Sequence, residues 1–379
     1  MAKFLLIKMK KMKFLNNIKN MKKINLLGII LLFTATLLTS CNNKDIVLPK
    51  VKFNNVSNAN VELGSLQKIL DGDYVNAIAF DSKGNAWIGT PLLQGIIRYN
   101  AQETVLYNFD NSLIPEGFFT YDIAVDKNDN VWIGGNIGLM KYDGNYFTLY
   151  NSSNTPMPID FVEAIKIDSK NNIWFISRNI SRGGVVKYDG NEWIVYTPDN
   201  SALPRTPVNS IAIDQSDNVW LSLHNNLVKI TNNEMKIYSG EELGMEGITI
   251  AGIKINSKNH VVGTCDYKYT AQLFPDPHLL KLFVFDGEKI TNLVTWSYFS
   301  LGIDKIFIDS NDYAWCFLSM TIPLYFGIWF GDEQGGIIDR SKFGATQNTG
   351  PWVNTVIEDS EYRIWIGTSD GLYILDKKH

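Results

Sequence analysis

The chain has 379 residues, 45% hydrophobic and 20% charged, with a formal net charge of −4. That balance carries no basic surplus and argues against nucleic acid as a partner. Three cysteines are too few for a disulfide-stapled secreted scaffold.

The first forty residues differ from the rest. Lys stands at positions 3, 8, 10, 11, 13, 19, 22 and 23, with no acid and no Arg. The mostly apolar run Ile24 to Leu38 follows, and Leu37-Leu38-Thr39-Ser40-Cys41 closes it. A basic start, a short apolar run and small residues before a break describe a secretory signal over 1–40. Fifteen apolar residues are short for a membrane span. Met21 as the start would give a signal of ordinary length. Losing the eight lysines leaves a body more acidic than the whole chain. Residues 41–60, with Asn at six positions, read as a polar tether.

From there the sequence repeats. Asp, or once Asn, is followed six positions later by Trp, or once by Val. The pairs are Asp81 and Trp87, Asp126 and Trp132, Asp168 and Trp174, Asp214 and Trp220, Asn256 and Val262, Asp309 and Trp315, and Asp359 and Trp365. The anchors are 45, 42, 46, 42, 53 and 50 residues apart. A period of that size built from short apolar runs predicts a propeller.

The first copy shows the plan. Val75 to Phe80 is an apolar strand, Asp81 to Asn85 a turn, Ala86 to Thr90 a second strand, Gly95 to Tyr99 a third and Val105 to Phe109 a fourth. The second and third copies add an Asp-Gly hairpin turn at Asp143-Gly144 and Asp189-Gly190. The fourth copy is weaker, and the fifth is degenerate, with an insert over 266–278. The seventh stops after its third strand, and Val61 to Leu70 stands where its fourth would belong. The expected fold is therefore all-β: a seven-bladed β-propeller of four-stranded antiparallel blades over 61–379, closed by an N-terminal strand. The Trp column is expected to pack against neighbouring blades, burying on the order of 150–250 Å² per ring. Cys316 reads as a small core residue, with a bond to Cys265 as the alternative.

Residues 126–144, from Asp126-Lys127-Asn128-Asp129-Asn130-Val131-Trp132-Ile133-Gly134 to Gly138-Leu139-Met140-Lys141-Tyr142-Asp143-Gly144, resemble the two-component-regulator propeller repeat. Residues 81–99 and 359–375 match it well, and the similarity spans about 75–379. The resemblance implies a periplasmic sensing propeller. In hybrid two-component systems such propellers are often linked to sensing polysaccharide fragments. With no kinase part after His379, the chain resembles a stand-alone propeller lipoprotein of the Bacteroidetes type. Leu38-Thr39-Ser40-Cys41 is similar to a lipobox, though that motif favours Gly or Ala before the Cys. Its implied role for Cys41 is lipid attachment, and hence a membrane link through the anchor alone.

Five residues before each anchor stand Asn76, Tyr121, Glu163, Asn209, Ala251, Asp304 and Asn354. They begin the innermost strands and are expected to ring the channel mouth. A wet entrance needs polar side chains, and a ligand-binding ring is the sharper expectation. Phe118, Phe119, Phe161, Tyr267, Tyr269, Trp296, Tyr298 and Trp352 are expected on loops of the same face. Amides and acids beside aromatics suit sugars, and suit a protein partner equally. The expected ligand-binding set is Asn76, Tyr121, Glu163, Asn209, Asp304, Asn354, Tyr267, Tyr269, Trp296 and Trp352.

No catalytic residue, metal or cofactor is expected. His224, His260, His278 and His379 do not cluster at metal-ligand spacing, although His224 and His278 share a face. Asp126 to Asn130 superficially looks like a calcium loop but lacks its Gly and Glu. The leading expectation is an envelope lipoprotein that binds an oligosaccharide or an envelope protein. A metal-assisted lyase or hydrolase similar to streptogramin lyases is one alternative. A scaffold in an outer-membrane assembly is another.

Overall fold

The computed structural model describes residues 63–91, 95–177, 184–245, 248–267, 279–297, 303–318, 325–330, 334–339 and 352–377. All the described residues belong to one compact unit within 55–379. The signal, the tether and Cys41 lie outside them.

The described strands form seven four-stranded antiparallel sheets. In six of them the strands follow chain order from the innermost outward. The remaining sheet runs Val353–Glu358, Ile364–Thr368, Gly371–Lys377 and then Leu63–Ile69. Leu66 to Ile69 pairs with Leu375 to Leu372, and the register slips between Leu63 and Leu66. Of the 61–70 segment read from the sequence, Leu70 lies beyond the strand, and residues 61–62 lie outside those described. The innermost strands are Ala77–Phe80, Thr120–Val125, Val162–Ile167, Val208–Ile213, Ile248–Ile255, Ile303–Ile308 and Val353–Glu358. Each contacts the next in chain order, and Val353–Glu358 contacts Ala77–Phe80.

The repeat explains this arrangement residue by residue. In each Asp copy one carboxylate oxygen accepts backbone N–H bonds from two and four residues on, as at Asp168 from Lys170 (3.0 Å) and Asn172 (2.9 Å). The other oxygen accepts the indole N–H six residues on, at 3.1, 2.9, 3.0, 2.9, 3.1 and 2.7 Å in the six Asp–Trp copies. A buried carboxylate thus satisfies a turn and a tryptophan together, as buried polar groups require. The exception follows the same logic. Asn256 accepts from His260 N, and the Val262 side chain has no N–H to place. Asp126 to Asn130 is this turn, with Asp126 bonded to Asn128, Asn130 and Trp132.

The residue three after each anchor has positive φ: Gly84, Asp129, Asn171, Asp217, Asn259, Asp312 and Tyr362. Gly, Asn and Asp tolerate that conformation, whereas Tyr does not. Several of these side chains also join turns between blades. Asp129 accepts from Ser82 N and Oγ at 2.9 and 2.6 Å, Asp217 from Ser169, and Asp312 from Ser257.

Second strands such as Ala86–Thr90 and Ile173–Ser177 are buried along their whole length. Seven apolar clusters fill the spaces between blades. Trp174 packs with Val208, Ile211 and Leu221, and Trp220 with Ile248, Ile253 and Val261. Trp365 packs with Val75, Ile78 and Ile88. The Gly of Trp-Ile-Gly admits the next inner strand: a Cβ on Gly134 would stand 2.7 Å from Val162 Cγ1. Cys316 is a free, buried thiol, which corrects the alternative of a bond to Cys265. Burial pushes its thiol up to about 12.

Candidate functional site

The inner strands surround a cavity of about 580 Å³. Of the mouth column, Asn76, Tyr121, Glu163, Asn209, Ala251 and Asn354 line it. Asp304 holds the equivalent place on its strand, and its side chain lies outside the described residues.

What puts this column at the mouth is a bulge. In six inner strands the register slips across one residue, and the skipped residues are Tyr121, Glu163, Asn209, Ala251, Asp304 and Asn354. A bulge leaves its extra residue out of the ladder and re-aims the side chain.

The bulges also leave backbone groups at the blade junctions needing partners. Asn76 Nδ2 donates to Thr120 O (3.0 Å), Asn209 Nδ2 to Ile250 O (2.9 Å) and Asn354 Nδ2 to Val75 O (3.0 Å). One step along the strand, Asp122 Oδ2 accepts from Ile165 N (2.8 Å) and Ser210 Oγ from Ile253 N (3.2 Å). The three asparagines therefore spend amide donors on joining blades. The Tyr121 ring packs at a tilt of 37° against Phe161, with centroids 4.7 Å apart. Burial, and then the Glu163 charge, raise the Tyr121 phenol above its ordinary value.

Below the mouth stand four charged residues that reading the sequence did not single out: Asp122, Lys166, Lys254 and Lys305. Lys166 Nζ donates to Ile165 O (2.7 Å) and lies 3.6 Å from Asp122 Oδ2. Lys254 and Lys305 make no hydrogen bond or ion pair among the described residues. Burial lowers the Lys254 ammonium to about 8, the Lys166 and Lys305 charges push the same way, and Asp122 opposes them. The available signal was the slot two before the anchor. It holds Ala79, Ala124 and Ala212 in three blades but Lys166 and Lys254 in two.

The expected loop aromatics divide. Phe118 is fully buried in an inter-blade cluster rather than on the surface. Trp296 lies in Ile290–Ser297, the outermost strand of its blade, and Tyr267 ends the strand Val261–Tyr267. Both were expected on loops. Lengthened strands in the degenerate fifth blade account for the difference. Tyr269 and Tyr298 lie outside the described residues. Phe119 and Trp352 are exposed, Trp352 by 65%, just before an inner strand but outside the cavity lining.

His224 Nδ1 is 3.0 Å from Thr249 Oγ1, beside the channel. His278 lies outside the described residues, and among those described no group of three His, Cys, Asp or Glu could hold a metal ion.

Residues 69–91 match the family profile of the two component regulator propeller. No curated protein sequence matches the chain. Solved structures do. The extracellular domain of a putative hybrid two component system of B. thetaiotaomicron aligns with TM-score 0.61 and 16% identity over 83% of this chain. This chain spans only 40% of that domain. Virginiamycin B lyase from Staphylococcus aureus aligns with TM-score 0.62 and 14% identity, covering 82% of this chain and 98% of that one. A third similar propeller, from Cyanidioschyzon merolae, has TM-score 0.59 and 11% identity, with 82% and 98% covered. At these identities the likeness is one of fold.

Proposed function

We propose that this chain, whose residues 69–91 match the two component regulator propeller family, is a ligand-binding propeller of the cell envelope. Its ligand is an oligosaccharide taken at the channel mouth. The observation that carries this reading is the channel itself: a cavity of about 580 Å³ lined by Glu163 and by Tyr121, whose ring packs against Phe161. A sugar offers an apolar face to such rings and hydroxyls to a carboxylate. A concave site with a few convergent polar groups is the ordinary form of a small-ligand site. Rigid blades hold these groups without a conformational cost on binding. Attachment through a lipid on Cys41 would tether the propeller to the membrane. The basic start and apolar run before Cys41 support that part of the reading.

The test is a thermal-melt screen of the purified full chain against neutral and acidic oligosaccharides. A ligand that binds only the folded state raises the melting temperature by mass action. The expected result is a shift that Tyr121→Ala and Glu163→Gln abolish while leaving the unliganded melt within a few degrees. A shift unchanged in both variants, or no shift with any glycan, overturns the reading. Loss of membrane fractionation in Cys41→Ser tests the anchor separately.

A further inference from the structure

We propose that the channel below the mouth is an oxyanion subsite, in which Lys166, Lys254 and Lys305 hold a carboxylate or sulfate group of the bound ligand. The proposal rests on the mouth being a binding site and adds the chemical class of what enters it.

Three ammonium groups and one carboxylate, that of Asp122, line this part of the cavity. Asp122 is already committed. Its oxygens accept Ile165 N (2.8 Å) and Ile123 N (3.0 Å), and its charge faces Lys166. Neither Lys254 nor Lys305 stands in an ion pair among the described residues; the Lys166 and Lys305 charges both act on Lys254, and Asp122 offsets them only in part. A cluster of like charges in a partly desolvated space costs stability. An anion would remove that cost, and its own bonds to ammonium groups would be of the strong, charge-assisted kind. The chain as a whole is acidic, at −4. A basic well of this kind focuses the field along the channel and draws anions inward.

The neighbouring groups set the pH range. Glu163 and the Tyr121 phenol stand above the lysines, and Asp122 beside them. Burial and the neighbouring lysine charges bring the Lys254 ammonium down to about 8, within reach of mildly alkaline pH. Anion affinity should therefore fall as pH rises from about 7 to 9.

The experiment is isothermal titration of the full chain with three probes: sodium sulfate, an oligogalacturonate, and a neutral galacto-oligosaccharide of equal length. Lys254→Gln and Lys305→Gln serve as variants, and Lys305, being exposed, keeps the test independent of folding. The expected result is binding of sulfate or oligogalacturonate that each variant weakens about tenfold or more. Sulfate binding alone makes a free anion sufficient. Binding of oligogalacturonate alone makes the anion one carried by the sugar. Either outcome supports the subsite. Equal binding of acidic and neutral sugars, unchanged in both variants, overturns the subsite and leaves the mouth reading standing. Absence of binding by both acidic probes overturns the subsite, and the neutral sugar then judges the mouth alone.

Discussion

Replacing Asp214 by Asn tests whether the anchor and the tryptophan six residues later form one unit. Asp214 accepts from Ser216 N (3.0 Å), Asn218 N (2.9 Å), Asn218 Nδ2 (2.8 Å) and Trp220 Nε1 (2.9 Å). Both Asp214 and Trp220 are buried. An asparagine can keep its oxygen on the two backbone donors. Its amide nitrogen then meets the indole N–H, donor against donor. A hydrogen bond to a charged group contributes about 1.5–3 kcal/mol net, and a buried group left without a partner costs about 1–3 kcal/mol. Asp214→Asn should therefore cost about 3 kcal/mol. Trp220→Phe, which keeps most of the ring, should cost about 1.5 kcal/mol. In the double variant the indole N–H is gone and cannot be orphaned, so its total should fall short of the sum by about 1.5 kcal/mol. The Asn256 and Val262 pair is the natural counterpart of that double variant. Equilibrium urea unfolding of the four proteins measures the cycle. Additivity within about 0.5 kcal/mol would refute the coupling and leave the six-residue spacing without this explanation.

Asn209→Ala removes the bond to Ile250 O at a part-buried junction and should cost about 0.5–1.5 kcal/mol in the same assay; a neutral effect would refute a junction role for Asn209. Tyr362 occupies a left-handed position with φ 62 where its six counterparts are Gly, Asn or Asp, so Tyr362→Gly should stabilise the fold by about 1 kcal/mol, and a loss of stability would refute that reading. Lys254 has its folded value lowered from 10.5 to about 8, so between those values the unfolded chain binds the extra proton and stability rises with pH. Lys254→Met removes the penalty, which is at most about 3 kcal/mol: its advantage over the parent should be fullest below pH 8 and shrink toward 10.5, and a pH-independent difference would contradict the assigned cause. Cys316, a buried thiol pushed up to about 12, should resist alkylation in the folded chain and react at once in denaturant; rapid native labelling would contradict its burial.

The sequence by itself determined the blade. Alternating apolar runs, Asp-Gly turns and the Asp-to-Trp spacing are local signals. The left-handed slot three after the anchor is legible too, because Gly, Asn and Asp occupy it in six of seven turns. The mouth column could also be found, since its residues stand at one fixed offset from the anchors. Tertiary structure alone decided what those residues do. A one-residue bulge turns six of the inner strands at that column, and no residue type announces it. Asn76, Asn209 and Asn354 then meet carbonyls 41 to 279 residues away, which local pattern cannot foresee. The same holds for Lys166, Lys254 and Lys305. Within their own strands they read as ordinary solvated lysines. Only closure of the sheets around one axis brings three separate strands together and makes three scattered charges a single site.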